Sequence, residues 1–70
     1  LSDNLSGYIG KEVCLTNSRG ARFKGILKAT LLNGNAVLWC HATDVGYGWI
    51  EYKAELKVVV GARIEREMSC

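Results

Sequence analysis

From Trp49 to Val60 apolar and polar residues alternate, and that pattern restricts the fold more than any other feature of the chain. Ile50, Tyr52, Ala54, Leu56, Val58 and Val60 form the apolar set. Glu51, Lys53, Glu55 and Lys57 stand between them, and only Trp49 and Val59 break the polar set. Successive side chains of a strand leave on opposite faces, so this periodicity predicts one long, half-buried strand over 48–60. A helix of the same sequence would scatter its apolar residues all round its axis.

The same test predicts four more strands, over 11–16, 21–32, 36–43 and 63–68. Val13 and Leu15 share a face of the first, which Asn17-Ser18-Arg19-Gly20 ends with turn chemistry. Phe23, Gly25, Leu27 and Ala29 share a face of the second, opposite Arg22, Lys24, Ile26, Lys28 and Thr30. Gly25 inside that strand predicts a bend or a close backbone approach. Asn33-Gly34-Asn35 is a hairpin signal, 44–48 is the next loop, and Gly61-Ala62 precedes the last strand. Ser2-Asp3-Asn4 is placed to cap one helical turn carrying Leu5 and Ile9. The expectation is an all-β domain over 1–70 with a short N-terminal helix, its five strands curled into an SH3-like or Sm-like open barrel.

Seventy residues make one domain with a marginal core, so a staple is expected. Three cysteines, Cys14, Cys40 and Cys70, are an odd number at wide spacing, which argues against disulfides and for a reduced, cytoplasmic chain. His41 is the only histidine and completes no metal-ligand set, so no metal and no cofactor are expected. No apolar run approaches the ~20 residues of a membrane helix. Association into a homo-oligomer is the remaining staple, with Val58, Val59, Val60, Ile64 and Met68 as the expected contacts. The net charge of +2 permits nucleic-acid binding without advertising it.

Gly20, Gly25, Leu27, Asn35 and Leu38 fall at the intervals of the first motif of the Sm and Sm-like proteins, and Leu5 to Val13 resembles that family's helix-to-strand junction. Gly61 and Ile64 are similar to part of the second motif. The resemblance covers roughly Leu5 to Met68. It implies a ring in which the fourth strand of one subunit pairs with the fifth of the next, with RNA held near the pore by the two motif loops. On this chain those positions are Asn33, Asn35, Gly61 and Arg63. The chain departs from the family at Leu31 (aspartate there), Asn33 (an aromatic or histidine), Val60 (arginine) and Arg63 (asparagine), which weakens the base pocket that the resemblance implies.

Two further likenesses stand beside it. Tyr52 to Val59 is similar in spacing to the RNA-contacting stretch of the bacterial Hfq branch, with Ala54 in place of histidine; that branch places a turn here, against the alternation. Gly20 to Ile26 resembles a strand of the plasmid-borne type II dihydrofolate reductases, whose Gln-Ile-Tyr run is answered only by Ile50-Glu51-Tyr52. No catalytic triad or cofactor fingerprint is visible, so the expectation is a binding protein and not an enzyme. Arg22, Lys24, Trp39 and Trp49 form a second candidate, a basic and aromatic surface for a strand of nucleic acid, with the two tryptophans either core or interface. The leading expectation is a small oligomeric module binding RNA or single-stranded nucleic acid. The alternatives are a protein-interaction or accessory subunit and a reductase-like enzyme.

Overall fold

The structure is a computed structural model and describes residues 5–67. The chain runs through a short 3-10 helix, Leu5–Tyr8, then β1 (Glu12–Thr16), β2 (Arg22–Thr30), β3 (Ala36–Asp44), β4 (Trp49–Val59) and β5 (Arg63–Glu67). All five strands are antiparallel in one sheet, ordered β4-β3-β2-β1-β5. The expected strands are therefore present within one or two residues of their expected ends, although Met68 lies outside the described residues. β4 and β5 are the two edges and share no ladder among the described residues. Strand pairing thus leaves the sheet open among the described residues, and the turn at 60–62 crosses between its edges.

Alternation places the core where the sequence predicts it for β1 and for β2 as far as Leu27; the β2–β3 register then shifts, so that Ala29 lies opposite Val37 and leaves the face it was expected to share with Leu27. Val13 and Leu15, Leu27, then Ala36, Leu38 and Cys40 are buried in one cluster, with Phe23, Tyr8 and Ile64 packed against it. Leu5 joins them from the 3-10 helix. Ile9 does not, and stays half exposed, because a four-residue 3-10 turn ends at Tyr8 and cannot carry it onto Leu5's face. The predicted cap at Ser2-Asp3-Asn4 lies outside the described residues.

Strand β4 departs from its sequence pattern. Glu51 pairs with Ala42 and Glu55 with Cys40, so β4 spends two more residues than β3 over this interval. Tyr52 and Lys53, consecutive in sequence, both line one shallow concavity with Cys40, Thr43, Glu55 and Lys57. The alternation therefore switches face between Tyr52 and Lys53, as a bulge requires. From Lys53 onward the charged residues share the core side with Cys40 and Leu38, while Leu56 and Val58 stand on the outside, 58% and 56% exposed. Val59, an exception in the sequence pattern, is the buried residue at 2%. This removes Val59 from the expected subunit contacts, as does the packing of Ile64 against the core. β4 nevertheless runs unbroken from Trp49 to Val59, without the internal turn that the Hfq-like alignment implies.

The cysteine expectation is corrected as well. Cys14 is fully buried and disulfide-bonded, and Cys40 is the free cysteine among the described residues. Spacing along the chain could not show this, because which residues come to lie near Cys14 depends on strand pairing, in which β1 sits between β2 and β5.

Gly25 makes the close approach that its position predicts. A Cβ there would overlap the Trp39 carbonyl oxygen and come 2.9 Å from the Cys40 Cα, both backbone atoms that cannot rotate away. The β2–β3 register also shifts at this point. Gly25→Ala is expected to destabilise the domain by about 3 kcal/mol, the upper end for an overpacked core. A urea midpoint within error of wild type would contradict that expectation.

Candidate nucleic-acid interface

Three loops meet at the turn that bridges the sheet edges. Ser18 N donates to the Val60 carbonyl (2.9 Å), Gly61 N to Asn35 Oδ1 (3.1 Å) and Ala62 N to the Gly34 carbonyl (3.0 Å). The β1–β2 loop, the β2–β3 hairpin and the β4–β5 turn are thereby fastened into one pole. Each is shaped by its own sequence. Asn17 Oδ1 accepts from Arg19 N and Ala21 N, both at 2.9 Å, which folds the first loop. Leu31 N donates to the Asn35 carbonyl and Asn33 Oδ1 accepts from Asn35 N, which close the second. Gly61 has φ +60°, and a Cβ there would lie 3.1 Å from that of Ser18, so glycine suits the third on two counts.

This pole unites the first set of sequence-predicted residues. Asn33 and Asn35 lie in the hairpin, Gly61 in the turn, and Arg63, exposed, opens β5 opposite Thr16. Asn35 spends its carbonyl oxygen on the Gly61 backbone, while its Nδ2 donates to no described residue. It can therefore position the turn and still offer an amide donor. Leu31 and Val60, the apolar departures from the Sm pattern, are both exposed here.

The fold adds residues that sequence reasoning treated as turn, strand face or subunit contact. A cavity of about 270 Å³ opens between Asn17, Ser18 and Arg19 on one side and Val58 to Val60 on the other, with Phe23 in its lining. The Lys57 ammonium lies 5.7 Å from the Phe23 ring centroid. The turn signal at Asn17-Ser18 was legible, but its proximity to Val60 depends on the curl of the sheet.

The second predicted set does not assemble. The Arg22 guanidinium is ion-paired with Asp44, its Nε donating to Oδ2 at 2.6 Å, and lies 5.4 Å from the Trp49 ring. Arg22 and Trp49 thus clamp the start of β2 to the β3–β4 loop, and the arginine's charge is already met by a carboxylate. Trp39 is elsewhere, in a cross-strand row with Ile26 and Leu56. Five residues of β3 separate it from Asp44, roughly 17 Å of strand. Lys24 pairs with Ala42 and is half-buried. His41 Nε2 lies 3.0 Å from Glu12 Oε2, a partnered surface histidine. Among the described residues no three His, Cys, Asp or Glu side chains gather to hold a metal, and no helix is long and apolar enough to cross a membrane.

No family model, curated protein or solved structure matches the chain.

Asp44 also accepts from Gly46 N at 2.9 Å. That backbone bond first, and the Arg22 side chain second, hold its carboxyl below the ordinary 3.8. A depressed pKa means that the carboxylate stabilises the fold at every pH above the ordinary value and that this contribution is lost as pH falls through the folded value. Asp44→Asn is therefore expected to be less stable than wild type at neutral pH, with the gap closing below pH 3.8. Paired urea titrations across that range check the sign. A gap that stays constant would show that charge plays no part.

Proposed function

We propose that this protein is a small β-sheet binding module, not an enzyme, that takes single-stranded nucleic acid, RNA foremost, at the pole where its three loops meet. The observation that carries the reading is the Asn35 Oδ1 to Gly61 N bond. It draws together two loops distant in sequence, with Asn33 beside one and Arg63 beside the other. Such a pole offers what a flexible strand needs: amide donors for base edges, a cation for phosphate and apolar surface for stacking. The resemblance to Sm-like proteins supports the same pole. The departures at Leu31, Asn33 and Val60 favour loose base preference over a uridine pocket.

One chain with net charge +2 is a weak electrostatic partner, so self-association belongs to the reading. Joined copies multiply both charge and contact points along one strand. A second reading, an accessory module that binds protein, is favoured by the exposed apolar residues Trp39, Leu56 and Val58.

Fluorescence anisotropy with oligo-U, oligo-A and single-stranded DNA of equal length tests the proposal. Binding is expected to weaken as salt rises, because each neutralised phosphate releases counterions. Arg63→Ala is expected to weaken it roughly three- to tenfold at low salt, as loss of one phosphate contact should. Lys11→Ala is expected to leave it unchanged, since Lys11 immediately precedes β1, at the end away from Thr16 and Arg63. Absence of binding to all three at low salt would overturn the nucleic-acid reading and leave the accessory module.

A further inference from the structure

On the outer face of the sheet, two apolar rows cross three strands and stop at an edge. Ile26, Trp39 and Leu56 are paired in one row, and Ala29, Val37 and Val58 in the next. Leu56 and Val58 lie on β4, whose far side pairs with no described strand. More than half of each is exposed. Apolar rows that run up to an unpaired strand are covered most completely by continuing the sheet.

The charge order along that edge identifies what continues it. Past the face switch at Lys53, Lys53, Glu55 and Lys57 point to the core side and Ala54, Leu56 and Val58 to the outer side. In an antiparallel pair related by a two-fold axis, residues equally distant from the axis lie opposite each other on the same face. An axis at Leu56 sets Glu55 against the partner's Lys57 and Lys57 against the partner's Glu55. On the outer face it sets Leu56 against the partner's Leu56 and Val58 against the partner's Ala54, so the Leu56 row runs on into the second copy and the Val58 row ends on its Ala54.

The neighbouring registers fail. An axis at Glu55 opposes glutamate to glutamate and Lys53 to the partner's Lys57. An axis at Lys57 opposes lysine to lysine. An axis at Ala54 sets Tyr52, on the core side, against the partner's Leu56, on the outer side. A slip by one residue puts outer-face Leu56 opposite Glu55 or Lys57 of the partner, which face the core side. We infer that β4 pairs antiparallel with β4 of a second copy of this chain about a two-fold axis at Leu56, giving a closed dimer with one continuous sheet.

This inference gives the self-association invoked above a defined form. It uses the edge that a ring of fourth and fifth strands would need, so dimer and ring exclude each other. Its test reads mass alone, so it can fail while nucleic-acid binding stands, and the reverse also holds. Sedimentation equilibrium at tens of micromolar is expected to give twice the 7.7 kDa of one chain. Glu55→Lys and Lys57→Glu, each confirmed folded by circular dichroism, are each expected to halve that mass. Mixed in equal amounts they are expected to restore it, because each lysine of one then faces a glutamate of the other. Leu56→Cys is expected to give a covalent dimer on mild oxidation, and it decides the matter if either charge variant does not fold. A wild-type mass of one chain, or of more than two, overturns the inference. Charge variants that stay dimeric, a mixture that stays monomeric, or a Leu56→Cys chain that does not cross-link overturn it equally.

Discussion

The three backbone groups of the turn at 60–62 that bond to Ser18, Asn35 and Gly34 are the joint on which the architecture turns. The sheet's edges, β4 and β5, share no ladder, yet they are consecutive in the chain. A turn this short can connect them only if the sheet curls until its edges approach. The curl buries one face of β1, β2 and β3, and the bonds at the turn hold it. The same bonds satisfy polar backbone groups at the point where strand pairing ends. Core and candidate site are thus two consequences of one closure.

Curling has a steric cost that is met in two places. β2 and β3 meet it at Gly25, where the absence of a Cβ lets the Trp39 carbonyl come close. β4 meets it by adding residues opposite His41, which switches its face between Tyr52 and Lys53. That switch has a functional price: it turns Leu56 and Val58 outward beside Trp39. A chain of this size has few apolar residues to spare for its core. Trp39, Leu56 and Val58 are three that it presents together on one face of the sheet. The long strand serves the core at its end, through Val59, and in the proposed dimer its middle serves association.

In the proposed reading the pole and the edge divide the functional labour. The pole is polar, built from loops and held by hydrogen bonds that leave donors available. The edge is apolar on one side, charged on the other, and rigid because it belongs to a strand. Recognition of a flexible strand suits the first, and a fixed register suits the second. Arg22, which sequence alone makes a candidate for binding, serves neither. Its partner Asp44 consumes its charge, and together with Trp49 it stabilises the β3–β4 loop.

Sequence by itself determined the five strands, the turns between them, the core face of β1 and of β2 as far as Leu27, and the need for glycine at position 25. These are set by neighbours in the chain: side-chain alternation, turn chemistry and backbone freedom act over a few residues. It also pointed to Asn35 and Gly61, though through family likeness and not through any local force between them. Only the tertiary structure decided that Ser18 meets Val60, that Arg22 belongs to Asp44, that Cys14 is disulfide-bonded and that β4 changes face at Lys53. Each of these depends on which strand lies beside which, and in what register. Register is a property of pairs of strands, summed over contacts between residues far apart in sequence, and a bulge of two residues alters it without leaving a mark on the alternation of either strand.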